Sequence, residues 1–163
     1  MIISTFRFWI MLPLSLAVFL SGFVCFIISD VISDKSIAVL AVYAILTIAI
    51  GFAWIWIVLG ELRTKAVMVV LWDDTVIKKS FLGLGGATPF MLEEFDGYTT
   101  SILFSNSDTY EYLYLMKGDK KMVKLSAFYH QNYEEMKSYL SKNMQFLGEK
   151  PFSISNEFKE ILQ

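Results

Sequence analysis

Cysteine is all but missing from this chain. Cys25 is the single thiol, which excludes an internal disulfide and a cysteine-based metal cluster. A lipidated cysteine needs small residues just before it, whereas Phe23 and Val24 stand there, so Cys25 reads as filler facing lipid or a neighbouring helix. Histidine is equally scarce: any Ser-His-Asp set would have to use His130, which has no acid or nucleophile placed beside it. It reads as a polar residue at a helix start. The segment Gly83-Leu84-Gly85-Gly86 lacks the Lys-Ser/Thr that a phosphate-binding loop requires and reads as a flexible loop. The carboxylate pairs Glu93-Glu94 and Glu134-Glu135 are adjacent rather than convergent and read as solvated faces. No zinc-ligand spacing occurs. These absences predict a non-enzymatic protein with no catalytic residues, metal, cofactor or small-molecule substrate.

Charge is the other scarcity, and it is uneven. Residues 1–62 hold only Arg7, Asp30, Asp34, Lys35 and Glu61 as charged side chains, while residues 63–163 hold 12 of the 14 basic and 13 of the 16 acidic residues. A near-neutral second part has no electrostatic reason to seek nucleic acid.

What fills the first third is hydrocarbon. The chain is 55% hydrophobic with a mean hydropathy of +0.52, above the range of ordinary soluble domains. Residues 6–29 form one apolar run with Arg7 at its edge, and residues 37–59 form a second with no charge. The first run, as a helix, is roughly 36 Å long, enough to cross a bilayer with some tilt. Both runs are expected to be helical, because lipid offers no partner for a bare backbone amide. A cleaved signal peptide is the alternative for the first, but no small-x-small cleavage site follows it. The connection Asp30 to Ser36 suits a tight hairpin. Ala17 with Ser21, Thr47 with Gly51, and Ala49 with Ala53 offer small residues for close helix approach. Arg7, Arg63 and Lys65 outweigh the acidic connection, so the positive-inside rule places both termini in the cytoplasm.

After Arg63 the pattern becomes short β-prone runs cut by turn residues. Strands are predicted over 66–72, 75–82, 88–95, 98–104, 110–116 and 121–125, with turns at Asp73-Asp74, Asp96-Gly97, Asn106 to Asp108, and Gly118-Asp119. One amphipathic helix follows at about 128–144, with Tyr129, Tyr133, Met136 and Leu140 as its apolar stripe. Gly148 and Pro151 end it, and Ser155 to Leu162 carries Phe158, Ile161 and Leu162 as an apolar edge. That last piece is either a tail helix docking back or one that needs a partner. The predicted organisation is a transmembrane hairpin over 1–62, a β domain with its capping helix over 63–147, and a tail over 148–163.

The stretch Met91 to Tyr98 (MLEEFDGY), followed by Lys124 to Leu140 (KLSAFYHQNYEEMKSYL), resembles the pleckstrin-homology-like domains of small bacterial membrane proteins. The resemblance covers roughly residues 66–145. It implies an α+β fold, a small bent antiparallel sheet or barrel capped by a C-terminal helix, set in a bacterial inner membrane. It implies little about activity. Phosphoinositide-binding relatives use basic residues after the first strand, where this chain has Asp73-Asp74. Lys78 and Lys79 follow but point to opposite faces of a strand, which favours a solvated edge.

Tyr110, Tyr112 and Tyr114 share one face of a predicted strand, with Tyr98 on another. Core packing is one reading. The other is an aromatic face that binds a partner protein, since tyrosine is favoured at such contacts. The leading expectation is a membrane-anchored protein-interaction module that binds a protein partner or a second copy of itself. An immunity protein against a membrane-directed toxin and a lipid- or stress-sensing subunit of an envelope complex are its rivals.

Overall fold

The computed structural model describes residues 1–31, 36–104 and 109–151. The expected turn at Asn106 to Asp108 and the tail helix over Ser155 to Leu162 lie outside the described residues, as does most of the hairpin connection.

The chain begins in the domain, not in the hairpin. A two-residue strand, β1 (Ile2–Ile3), precedes helix α1 (Met11–Val31), and α2 (Ile37–Ile55) runs on as a π-helical stretch over Trp56–Leu62. Phe8–Ser29 and Ile37–Leu62 are both long and apolar enough to cross a membrane. None of the residues of α2 is buried, and large side chains such as Ile45, Ile48 and Phe52 stand bare. A helix that is apolar all round and uncovered is suited to hydrocarbon rather than water. The two helices meet where Ala17 is buried and the Trp54 indole donates to Ser21 Oγ at 3.0 Å. Gly51 touches nothing at its missing side chain, so the expected glycine contact is not used.

Six further strands follow in the order the alternation predicts: β2 (Met68–Trp72), β3 (Thr75–Lys79), β4 (Ala87–Met91), β5 (Gly97–Phe104), β6 (Thr109–Lys117) and β7 (Lys120–Ser126). The two-residue turns fall where expected: Trp72 pairs with Thr75 around Asp73-Asp74, and Lys117 with Lys120 around Gly118-Asp119. Asp73 and Gly118 supply the positive φ values, 45° and 59°, that such tight turns need. Then come helix α3 (Tyr133–Asn143) and a short strand, β8 (Phe146–Glu149).

The strands form two four-stranded sheets, β1-β2-β3-β4 and β7-β6-β5-β8. This corrects the single bent antiparallel sheet or barrel: the described strands close no barrel, and β8 lies parallel to β5. The core fills the space between the sheets with Val69, Leu71, Val76, Leu113, Leu115 and Leu125, and α3 covers it through Tyr133, Met136 and Leu140. Gly97 makes room for β8. A side chain there would strike the Gln145 carbonyl and come within 2.8 Å of Leu147 Cγ.

The capping helix starts at Tyr133 rather than near Phe128, and the reason is competition for backbone groups. Arg7 N–H donates to the Tyr129 carbonyl, and Gln131 N–H to Thr5 O, each at 2.8 Å. Asn132 accepts from Thr5 N–H and donates to Ile3 O. The N-terminal residues thus hold residues 129–132 out of a helix. The loop after β3 is likewise an ordered turn, not the flexible glycine loop expected. Phe81 and Leu82 take positive φ, Leu82 N–H donates to Ala66 O, and both pack against Ile10, Leu62, Ala66 and Tyr129.

Candidate functional site

Three places in the domain gather chemistry-bearing side chains: a buried histidine at the junction, a cationic seam between the sheets, and a tyrosine face on the second sheet.

His130 is fully buried, which corrects its reading as a polar helix-start residue. Ser126 N–H donates to Nδ1 at 3.0 Å, and Nε2 lies 2.8 Å from the Val67 carbonyl. A neutral ring with its proton on Nε2 satisfies both contacts. Burial pushes its pKa below the ordinary histidine value, outweighing the Val67 and Ser126 carbonyls, 2.8 and 3.0 Å from Nε2 and Nδ1, which raise it. With both nitrogens held by main chain, this imidazole is a structural clamp. It joins the exit of α2 to the turn before α3, and its ring lies 5.3 Å from that of Phe6. Beside it, the Tyr129 hydroxyl donates to Glu61 Oε2 at 2.7 Å and Lys65 Nζ donates to Glu61 Oε1 at 2.6 Å. Burial first, then the Glu61 charge, raise the Tyr129 pKa. The π-helical stretch carries Glu61 at this junction, with Arg63 N–H bonding five residues back to Val58 O.

The seam lies between β3-β4 of one sheet and the β7 edge of the other. Arg63, Lys78, Lys121 and Lys124 line a cavity of about 300 Å³ with Thr64, Ser80 and Thr88, and no carboxylate is among its described lining residues. Lys78 reaches across it and donates to Met122 O at 2.8 Å, corrected from a solvated edge to a half-buried bridge between sheets. The pattern on one strand revealed that Lys78 and Lys79 diverge. It could not reveal that Lys78 converges with cations from two other elements.

The tyrosines separate. Tyr98 belongs to the main core, and Tyr110 packs its ring edgewise on Phe128, with centroids 4.9 Å apart. Tyr112 and Tyr114 do share one face of β6, but they are 4% and 2% exposed and cluster with Met116. Lys121 Nζ sits 4.0 Å from the Tyr114 ring centre, and Lys124 Nζ 4.8 Å from that of Tyr112, so aromatic faces floor the cationic side of the sheet. Opposite charge collects at the far end of the domain, at the Asp73-Asp74 turn, where the Tyr139 hydroxyl donates to Asp73 O. Compared with known proteins, the chain matches no family model, no curated protein and no solved structure.

Proposed function

We propose that this protein is a membrane-anchored, non-enzymatic interaction module of pleckstrin-homology-like architecture. It stands at the cytoplasmic face of a bacterial inner membrane, and its seam receives an acidic segment of a protein partner. The observation that carries this reading is the convergence of Arg63, Lys78, Lys121 and Lys124 on one cavity. Such a lining favours an anionic ligand, and its hydroxyls at Thr64, Ser80 and Thr88 can donate to carboxylate oxygens. Two bilayer-crossing helices are supported by the bare apolar surface of α2 and by β1, which ties the start of the hairpin to the domain that follows its end. The cytoplasmic side is supported by Arg7, Arg63 and Lys65.

The test uses the full-length protein extracted from its own membranes in mild detergent. A stoichiometric partner should co-purify, be released by about 0.5 M salt as exposed ion pairs are screened, and be lost in Lys121→Glu and in Thr88→Glu. A clean monomer, or a partner indifferent to salt and to both substitutions, overturns the reading. A second reading, a phosphate-bearing lipid headgroup in the seam, is favoured by Arg63 directly following the helix that ends at Leu62. Anionic lipid retained in native mass spectrometry and lost in the same variants would select it.

A further inference from the structure

The two apolar spans meet the domain at one cluster. Ile10 and Leu14 of the first span and Leu62 at the end of the second pack there with Phe81, Leu82 and Phe128. Whatever is built on this cluster therefore sits level with the domain end of the hairpin.

The turn between β3 and β4 is fastened at that level. Phe81, Leu82 and Gly83 take positive φ values of 51°, 59° and 92°, a run that persists only where the surroundings hold it. Leu82 N–H donates to Ala66 O at 2.8 Å, and Gly85 N–H to Ser80 O at 2.9 Å. With Phe81 and Leu82 packed on the cluster, Leu84 is left at the tip of the turn, 89% exposed. No charged residue occurs from Ser80 to Leu92. The end of β5 reaches the same level by another route. Leu103 pairs with Tyr110, whose ring meets Phe128 edge-on at 4.9 Å, and Phe128 stacks on Trp9 at 6.4 Å. Phe104, one residue further along, is 79% exposed. Phe8 and Trp9 are themselves bare at the start of the first span. Bare apolar side chains scattered singly are ordinary in water. Four large ones at one level, from three separate segments, mark a contact surface. The opposite end of the domain differs: there Trp72 and Met91 are bare, but among Asp73, Asp74, Glu93 and Asp96.

We propose that the underside of the domain rests in the bilayer, with Leu84 and Phe104 immersed at the boundary of headgroups and acyl chains beside Phe8 and Trp9. The proposal rests on the membrane-anchored reading for the bilayer itself and adds two contacts outside the hairpin. Side chains immersed in this way lie about 5–10 Å into that boundary, where tryptophan is also favoured. Contact through the hairpin, the turn and the strand end fixes the tilt of the domain on the membrane. Because Ser80 of the same turn lines the seam, the seam is then held at a constant height above the lipid.

The test places single cysteines in the full-length Cys25→Ser protein and labels them with a polarity-sensitive fluorophore in nanodiscs. Leu84→Cys and Phe104→Cys report the underside, Ile48→Cys the middle of α2, and Met91→Cys the far end. The discs hold ordinary lipid, lipid brominated near the headgroup, or lipid brominated near the chain end. Bromine quenches on contact, so labels at 84 and 104 should lose about half their emission or more to the shallow bromines and little to the deep ones. The label at 48 should answer to the deep bromines, and the label at 91 to neither. If 48 is quenched while 84 or 104 behaves as 91 does, immersion of the underside is overturned and the hairpin reading stands. If 48 is unquenched as well, the hairpin reading falls and takes this proposal with it. Blue-shifted emission at 84 or 104 that neither bromine reaches assigns the surface to a protein and equally overturns the proposal.

Discussion

Replacing His130 tests the junction most sharply. The ring is fully buried and engages two main-chain groups, the Val67 carbonyl and the Ser126 N–H. In His130→Phe the ring volume and the tilted ring contact with Phe6 are kept, but both main-chain groups lose their partner. Each orphaned group costs about 1–3 kcal/mol, so a loss of roughly 2–6 kcal/mol is expected. That is a large share of the 5–15 kcal/mol typical of a domain, and at about 4–8 °C per kcal/mol it lowers the melting temperature by about 8 °C or more. His130→Ala removes packing as well, yet opens space for a water that can restore one bond, so it should be no worse than the phenylalanine variant. Urea unfolding of the full-length protein in micelles, followed by circular dichroism of the strands, reads the difference while the hairpin stays helical. A His130→Phe variant within 1 kcal/mol of the parent would refute the hydrogen-bond clamp and leave ring packing as its whole role.

The same burial sets a pH dependence. Because the folded pKa of His130 is lowered, the unfolded chain takes up a proton below about pH 6.5 that the folded chain refuses, and stability falls by up to about 1.4 kcal/mol per pH unit until the folded pKa is reached. Urea midpoints between pH 7.5 and 5.5 should show this slope, and His130→Phe should flatten it. Tyr129→Phe removes the 2.7 Å bond to Glu61 and should cost about 1.5–3 kcal/mol in the same assay, as for bonds to charged groups; no loss would mean that Glu61 is satisfied by Lys65 alone. Gly97→Ala places a methyl group against the Gln145 carbonyl at a positive φ of 154°, so it should cost about 1–3 kcal/mol and raise amide exchange in β8. Unchanged exchange would refute the close approach of β5 and β8.

What could be read in advance was whatever the chain encodes locally. The alternation in Tyr110 to Met116 and the Asp73-Asp74 and Gly118-Asp119 turns located the adjoining strand ends to within about two residues, because period and turn chemistry act over a few positions, whereas the ends expected at Leu82 and Phe95 overran β3 and β4 by three and four residues. β1 and β8 escaped notice because Ile2 pairs with Leu71, and Tyr98 with Phe146, across long stretches of sequence, and strands this short carry no period of their own. The late start of α3 escaped for the same reason: Phe128 and Tyr129 look helical until Arg7 and Thr5 arrive to take their backbone groups. The site was least legible. Periodicity put Tyr112 and Tyr114 on one face but not how deeply they lie, and Arg63, Lys78 and Lys121 come from three elements whose meeting only the packing of the sheets decides.

The pairing of Ile2 and Ile3 with Leu71 and Val70 has a consequence for biogenesis. Those isoleucines are synthesised before both long apolar helices and their partners only after them, so β1 can pair only once α1 and α2 have been made.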